Sequence, residues 1–276
     1  LRTHIRKCKL ATNNPFGVNI PLLYPDIDQL MHIIEDEHVP IVFTSAGNPA
    51  TWTPWLKQRG ITVVHVVPNV KLALKCVDRG VDAVVCEGFE AGGHNGKDEI
   101  TTLCLVPQVV DAIGERVPVI AAGGIADGRA VAAVMALGAD GVQIGTRFAA
   151  TIESSAHEAF KQEIVRADDT ATVLTLKQLT PVRMIKNEFY AEVAAAESRG
   201  ATSQELASLL GRGRSKKGIF EGNLSEGELE IGQISGLIRD IPSAGQVMDS
   251  LIAGYNETLS RLYTFSEPNR DNICTS

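Results

Sequence analysis

Six short, almost wholly apolar runs recur along the first half of the chain, most of them followed by a stretch with helical periodicity. They are PFGVNI (15–20), PIVFTSA (40–46), ITVVHVV (61–67), DAVVCEG (82–88), PVIAAGG (118–124) and DGVQIGT (140–146). Apolar runs without period-two alternation mark strands buried on both faces, as parallel sheets require. Between them lie amphipathic stretches such as DIDQLMHIIEDE and VKLALKCVDRG, the second closing on Gly80 as a helix does. Repeated βα units leave two architectures, a doubly wound sheet or a (β/α)8 barrel. A barrel needs eight strands. The chain opens on LRTHIRKCKLATNN, which reads as the end of a helix and carries no initiating methionine. The expectation is an α/β chain, a (β/α)8 TIM barrel whose N-terminal two βα units are missing.

Two glycine turns lie one strand–helix unit apart, Gly123-Gly124 and Gly145-Thr146. Glycine admits positive φ and close backbone approach, and amide N–H groups at a helix start face an anion. Turns of this kind on consecutive parallel strands form the phosphate clamp that barrels build after their last two strands. A phosphorylated ligand is expected here.

At 276 residues and a net charge of −7, no basic face dominates, which argues against nucleic acid. The longest apolar run, AVAAVMALGA (130–139), is too short to span a bilayer. Cys8, Cys76, Cys86, Cys104 and Cys274 form no C-x-x-C pair, a pattern suited to reduced thiols. With no signal peptide, the cytoplasm is the expected location. No histidine pair has H-x-x-x-H spacing, so no metal site is expected.

After Phe148 the alternation stops, and residues 152–230 read as helices and polar loops. Thr202 with Glu205 makes a capping box and Gly211 closes that helix. QISGLIRDI and AGQVMDSLIAGYNETLSRLY read as further helices. The expected layout is a partial barrel over 1–150, a helical lid over 151–230, packing helices over 231–262 and a disordered tail over 263–276.

His94, in EGFEAGGHNG after the fourth run, falls at the C-terminal rim, where barrel enzymes keep their chemistry. Its imidazole exchanges protons near neutrality; the plain alternative is a loop histidine bonded to backbone. Gly92, Gly93 and Gly96 leave that loop room to approach a flat ligand. Asn19 closes the first run with an amide suited to a heterocycle edge, or to a turn. Gln143 sits in an apolar strand and needs a partner. Glu87 and Glu90 flank the His94 loop, either tuning it or facing water. His65 reads as a satisfied core or rim residue. The cluster Arg212, Arg214, Lys216 and Lys217 reads first as a solvated loop, and second as a contact for a nucleotide phosphate or an acidic carrier protein.

FGVNI, SAGNP (45–49), EGFEAGGHNG, VIAAGGIADG and GVQIGTRF, in this order, resemble the flavin-dependent family of nitronate monooxygenases and FabK-type enoyl-acyl-carrier-protein reductases. The resemblance covers residues 15 to about 260. NIPLLYP, VRMIKN (182–187) and IFEGNLSEGELEIGQISGLI (219–238) are most similar to the reductases. The resemblance implies FMN, with its phosphate on Gly123, Gly124, Gly145 and Thr146. Asn19 and Gln143 would lie near the ring or ribityl chain and His94 beside the flavin's reactive face, with Gly92 and Gly93 among the cofactor-binding residues. It implies reduction of trans-2-enoyl thioesters of acyl carrier protein or CoA, with NAD(P)H as reductant, in a homodimer. The alternatives are oxidation of alkyl nitronates with O2 and, because the family's N-terminal strands have no counterpart here, a truncated, catalytically inert relative.

Overall fold

All six apolar runs form strands in the computed structural model, which describes residues 1–266. In chain order the strands are β1 (Gly17–Pro21), β2 (Ile41–Ser45), β3 (Thr62–Val67), β4 (Ala83–Glu87), a two-residue β5 (Gly93–His94), β6 (Val119–Ala122) and β7 (Gly141–Gln143). Strands β1, β2, β3, β4, β6 and β7 pair in that order, every pair parallel. Each strand adds beside its predecessor. A doubly wound sheet would reverse its order at a switch point, whereas steady addition is the winding of a (β/α)8 barrel. The fold is α/β of that type.

The chain divides into two compact units. The first holds Leu1–Phe89, Asn95–Gly123 and Leu137–Gln143; the second holds Glu90–His94, Gly124–Ala136 and the chain from Ile144 onward. In the first unit the parallel sheet is joined by α1 (Arg2–Ala11), α2 (Ile27–Asp36), α3 (Pro49–Lys57), α4 (Val70–Asp78) and α5 (Thr102–Ile113). The side chains of Asn48 and Asn69 cap α3 and α4, accepting from the amides of Ala50 and Leu72. Register assigns each strand residue to a face. Val42, Val63, Val67, Val84, Cys86, Val119 and Ala121 lie on one face and are fully buried. The other face carries Ile41, Phe43, Val64, Val66, Ala83, Val85, Ile120 and Ala122, a cluster made of strand residues alone.

The second unit contains α6 (Gly128–Ala136), α7 (Thr146–Ala149), α8 (Glu158–Arg166), β8 (Thr172–Thr175), β9 (Val182–Ile185), α9 (Glu188–Ser198), α10 (Ser203–Leu210), α11 (Arg214–Ile219) and α12 (Ala244–Ser266). The capping box of Thr202 and Glu205 is present. Two expectations need correction. Residues 152–230 are not helices and loops alone, because β8 and β9 pair antiparallel and β5 joins them in a three-stranded sheet. QISGLIRDI is not an α-helix: Gln233–Leu237 form a short 3-10 turn, with Gly236 against the Asp168 backbone and Ser235 fully buried. One core gathers Phe160, Ile164, Ile185, Leu229 and Ile231; a second gathers Leu176, Met184, Phe189, Val193 and Leu206. The tail expected over 263–276 lies outside the described residues from 267 on, and α12 runs through Ser266.

Candidate functional site

The glycine turns are built as donors. Gly123 and Gly124 are consecutive residues at φ +86° and +71°, a conformation that side chains resist. They leave the end of β6, whose last residue Ala122 pairs with Gln143 at the end of β7. The Gly123 turn is braced from within its own unit, its carbonyl accepting from the Thr102 hydroxyl at 2.9 Å. Among the described residues the amides of Gly124, Gly145 and Thr146 have no backbone acceptor. A side chain at Gly145 would meet nothing within 4 Å, so this turn opens onto free space. The Thr146 hydroxyl accepts from the Gly232 amide at 2.9 Å, which leaves its own proton to give.

One part of the expected clamp is already taken. The first amides of α6, those of Arg129 and Ala130, donate to the Asp127 carboxylate at 3.0 and 3.2 Å, and Arg129 folds back onto the same group. The start of α6 is self-capped. An anion here is left with the glycine turns and Thr146.

His94 lies on a strand rather than a loop. Gly93 pairs with Arg183 and His94 with Val182 across β5 and β9. The His94 side chain is exposed and makes no hydrogen bond among the described residues. Its flanking glycines serve packing. A Cβ on Gly92 would lie 2.4 Å from the Ile231 carbonyl carbon and 2.5 Å from the Gly232 nitrogen. Gly93 is at φ +79°, with the Glu230 carboxylate 2.7 Å from where its Cβ would be, and Gly96 abuts the Pro68 ring. Gly232 in turn approaches the Gly92 amide and the Thr146 hydroxyl, so the His94 strand and the Thr146 turn meet at one glycine.

Beneath β5 the sequence hides a carboxylate pair. Glu228 and Glu230 both face the Ser215 hydroxyl, the first at 3.0 Å. One hydroxyl proton cannot serve two carboxylates. Burial, and next the charge of Glu230, push Glu228 up to about 7. Because the folded value lies above the ordinary 4.5, this group's stabilising proton is present at low pH and is lost as pH rises through about 7. Glu228→Gln is therefore expected to raise the unfolding free energy at pH 8.5, by at most about 3 kcal/mol, and to leave it unchanged near pH 5; thermal melts at the two values check it.

Arg147 fixes the turn from behind. It is 9% exposed and donates to the Asp240 carboxylate at 2.8 Å and to the carbonyls of Ala150 and Asp240, both at 2.9 Å. Arg147→Ala is expected to cost about 2–3 kcal/mol in urea unfolding.

In the first unit, Asn19 is exposed and Gln143 half-buried, on the same face as Phe43 and Ala122. His65 lies on the opposite face, fully buried, with Nδ1 2.6 Å from the Thr44 hydroxyl; burial, then Lys75, push its imidazole down to about 4. Burial pushes the Cys76 and Cys86 thiols up to about 12, so neither supplies a thiolate. Four cysteines, Cys8 among them, are free, and Cys274 lies outside the described residues. The basic cluster is largely spent on structure. Arg214 covers the Phe189 ring and donates to three carbonyls, Lys216 pairs with Glu221 and Lys217 with Glu226. Among the described residues no cluster could hold a metal ion, and no helix is long and apolar enough to cross a membrane.

Comparison with known proteins places this geometry. A solved structure titled FabK from Thermotoga maritima superposes with a TM-score of 0.90 at 38% identity, covering 96% of this chain and 83% of that one. A Mycobacterium tuberculosis protein named as a hydroxy-methyl-oxo-octahydro-indene-carboxyl-CoA dehydrogenase is 30% identical over 91% of this chain and 81% of its own length. A protein of Staphylococcus saprophyticus, named a probable nitronate monooxygenase, is 34% identical over 83% of this chain and 66% of its own length. The sequence model of the nitronate monooxygenase family matches residues 25–254. With that match over most of its length, the chain belongs to the nitronate monooxygenase family of flavin-dependent oxidoreductases.

Proposed function

We propose that the protein is an FMN-dependent, NAD(P)H-linked reductase of trans-2-enoyl thioesters carried on acyl carrier protein or CoA. The observation that carries this reading is the donor set of the glycine turns: unpartnered amides at Gly124, Gly145 and Thr146, open space at Gly145 and a hydroxyl proton on Thr146. Amides and a hydroxyl with no cation are the chemistry of a phosphate cradle, and they fit a mononucleotide flavin. Bound flavin supplies the two-electron redox chemistry. The protein's share is position and protons. Gly123, Gly124, Gly145 and Thr146 hold the phosphate, Asn19 and Gln143 offer amides to the ring and ribityl chain, and Gly92 and Gly93 contribute backbone only. His94 orients the thioester carbonyl and holds the proton destined for the α-carbon. The likeness to FabK, and a relative named for a CoA thioester, support the thioester over other oxidants.

A nitronate substrate is the second reading, supported by the name of the matching family and of several relatives. There His94 meets the nitro group. NAD(P)H separates the two, since only the reductase consumes it.

The cradle has its own test. Gly124 sits at φ +71°, where alanine costs about 1–2 kcal/mol. Gly124→Ala is expected to weaken FMN at least tenfold and riboflavin, which lacks the phosphate, less than twofold, by fluorescence titration. Equal losses for both ligands would remove the phosphate from this turn.

A further inference from the structure

The cluster face of the parallel sheet is apolar along most of its length and polar at its C-terminal ends. Register places Asn19 and Ser45 on this face together with Phe43 and Val66. It places Glu87 opposite Ala122, and Ala122 opposite Gln143, so an acid and an amide flank one small residue. Ser45, Glu87 and Gln143 each end their strand. Asn19 is exposed and the other three are half-buried, and none of the four side chains makes a hydrogen bond among the described residues. Three half-buried polar side chains without a protein partner at strand ends, with Asn19 lower on β1 of the same face, leave hydrogen-bonding groups open to a ligand.

Glu87 is the single ionisable side chain that register assigns to this face. The elements packed on β4 bring it no counter-charge. On β3, His65 is turned to the opposite face and bonded to Thr44; β6 has no ionisable residue. Lys71, Lys75, Cys76 and Asp78 belong to α4, and Cys104 and Asp111 to α5, and none is bonded to Glu87. Burial alone pushes this carboxyl up to about 7.

We propose that Glu87 is a ligand-binding acid: a protonated carboxyl that donates a hydrogen bond to a carbonyl-type acceptor of the bound ring system, beside the Gln143 amide, and releases it on ionising. A neutral acid is the one form of this side chain that can donate. The ring is the flavin of the preceding reading, on which this inference rests. Ligand affinity and proton uptake at Glu87 are then linked, and affinity is greatest below neutral pH.

FMN titration by fluorescence from pH 5.5 to 9 tests it on wild type, Glu87→Gln and Glu87→Ala. Wild-type affinity is expected to fall about tenfold per pH unit above the midpoint near 7. Glu87→Gln, which keeps a donor and cannot ionise, should match wild type at pH 6 and outbind it at pH 9. Glu87→Ala should be weaker at pH 6. The flavin phosphate titrates alike in all three, so the difference between profiles isolates Glu87. Superimposable wild-type and Gln profiles would overturn the role of Glu87 and leave the flavin reading intact. Failure of wild type to bind FMN at any pH would overturn both. Without flavin, Glu87→Gln should raise the unfolding midpoint by several degrees at pH 8.5 and not at pH 5; equal midpoints at both values also overturn the proposal.

Discussion

Replacing His94 with alanine is expected to lower the turnover of a short enoyl thioester by about 10²–10⁴-fold while leaving FMN bound. The side chain is exposed, has no intramolecular partner among the described residues and projects from a strand rather than a free loop. Pairing with Val182 on one side of the chain and the close fit of Gly92 against Ile231 and Gly232 fix where that strand runs. An imidazole so placed, with both ring nitrogens free of protein partners among the described residues, suits hydrogen bonding to a carbonyl and proton delivery. His94→Gln separates its two roles. Glutamine can still hydrogen-bond a carbonyl but cannot exchange a proton at neutral pH, so it should keep KM near wild type and lose most of kcat. Turnover within threefold of wild type in the alanine variant would mean the proton comes from elsewhere.

The largest structural effect is expected at Gly128. A Cβ there would stand 2.1 Å from the Tyr255 nitrogen and 2.3 Å from the Gly254 carbonyl carbon, both backbone atoms of α12 that cannot rotate aside. Gly128→Val must push α6 and α12 apart, at a cost of about 3 kcal/mol or more. That corresponds to a midpoint lowered by about 6–12 °C. The partner glycine behaves differently. At Gly254 the nearest atoms are 3.5 Å from the would-be Cβ, ordinary contact, and the residue lies inside a helix. Gly254→Ala should be neutral or stabilise by up to about 1 kcal/mol, because alanine loses less entropy on folding. Equal destabilisation by both substitutions would contradict the crossing geometry.

The parallel sheet was legible because its strands are continuous apolar runs and its turns carry glycine at strand ends. Runs such as PIVFTSA and ITVVHVV have no polar alternation to mislead, and all six became strands within a few residues. The antiparallel sheet was not legible. TVLT and VRMI are four residues each, and β5 is two, so no periodicity has room to show. QISGLI looked helical because its apolar residues fall three and four apart, but Gly236 at the Asp168 backbone holds the segment to a short turn. In the site, glycine at a strand end is the signal that marks Gly145 and Thr146, whose amides have no backbone acceptor among the described residues. The anion site expected at the start of α6 was lost to Asp127, whose position just before the helix is itself a capping signal. No sequence signal shows that a Cβ on Gly92 would strike the Ile231–Gly232 backbone and one on Gly93 the Glu230 carboxylate, because those partners lie far along the chain. Glu228 and Glu230 are hidden in the sequence by the polar stretch around them. The alternation E-L-E-I, with Leu229 and Ile231 each 1% exposed, was the available period-two signal.

The most direct test of the proposed activity is an anaerobic titration of the FMN-reconstituted protein. NAD(P)H is added first, then crotonyl-CoA, with flavin absorbance followed throughout. The enoyl-thioester reductase reading predicts that NAD(P)H bleaches the absorbance and that crotonyl-CoA restores it stoichiometrically. Bound flavin that ignores NAD(P)H and bleaches with an alkyl nitronate would contradict that reading and assign the site to nitronate oxidation.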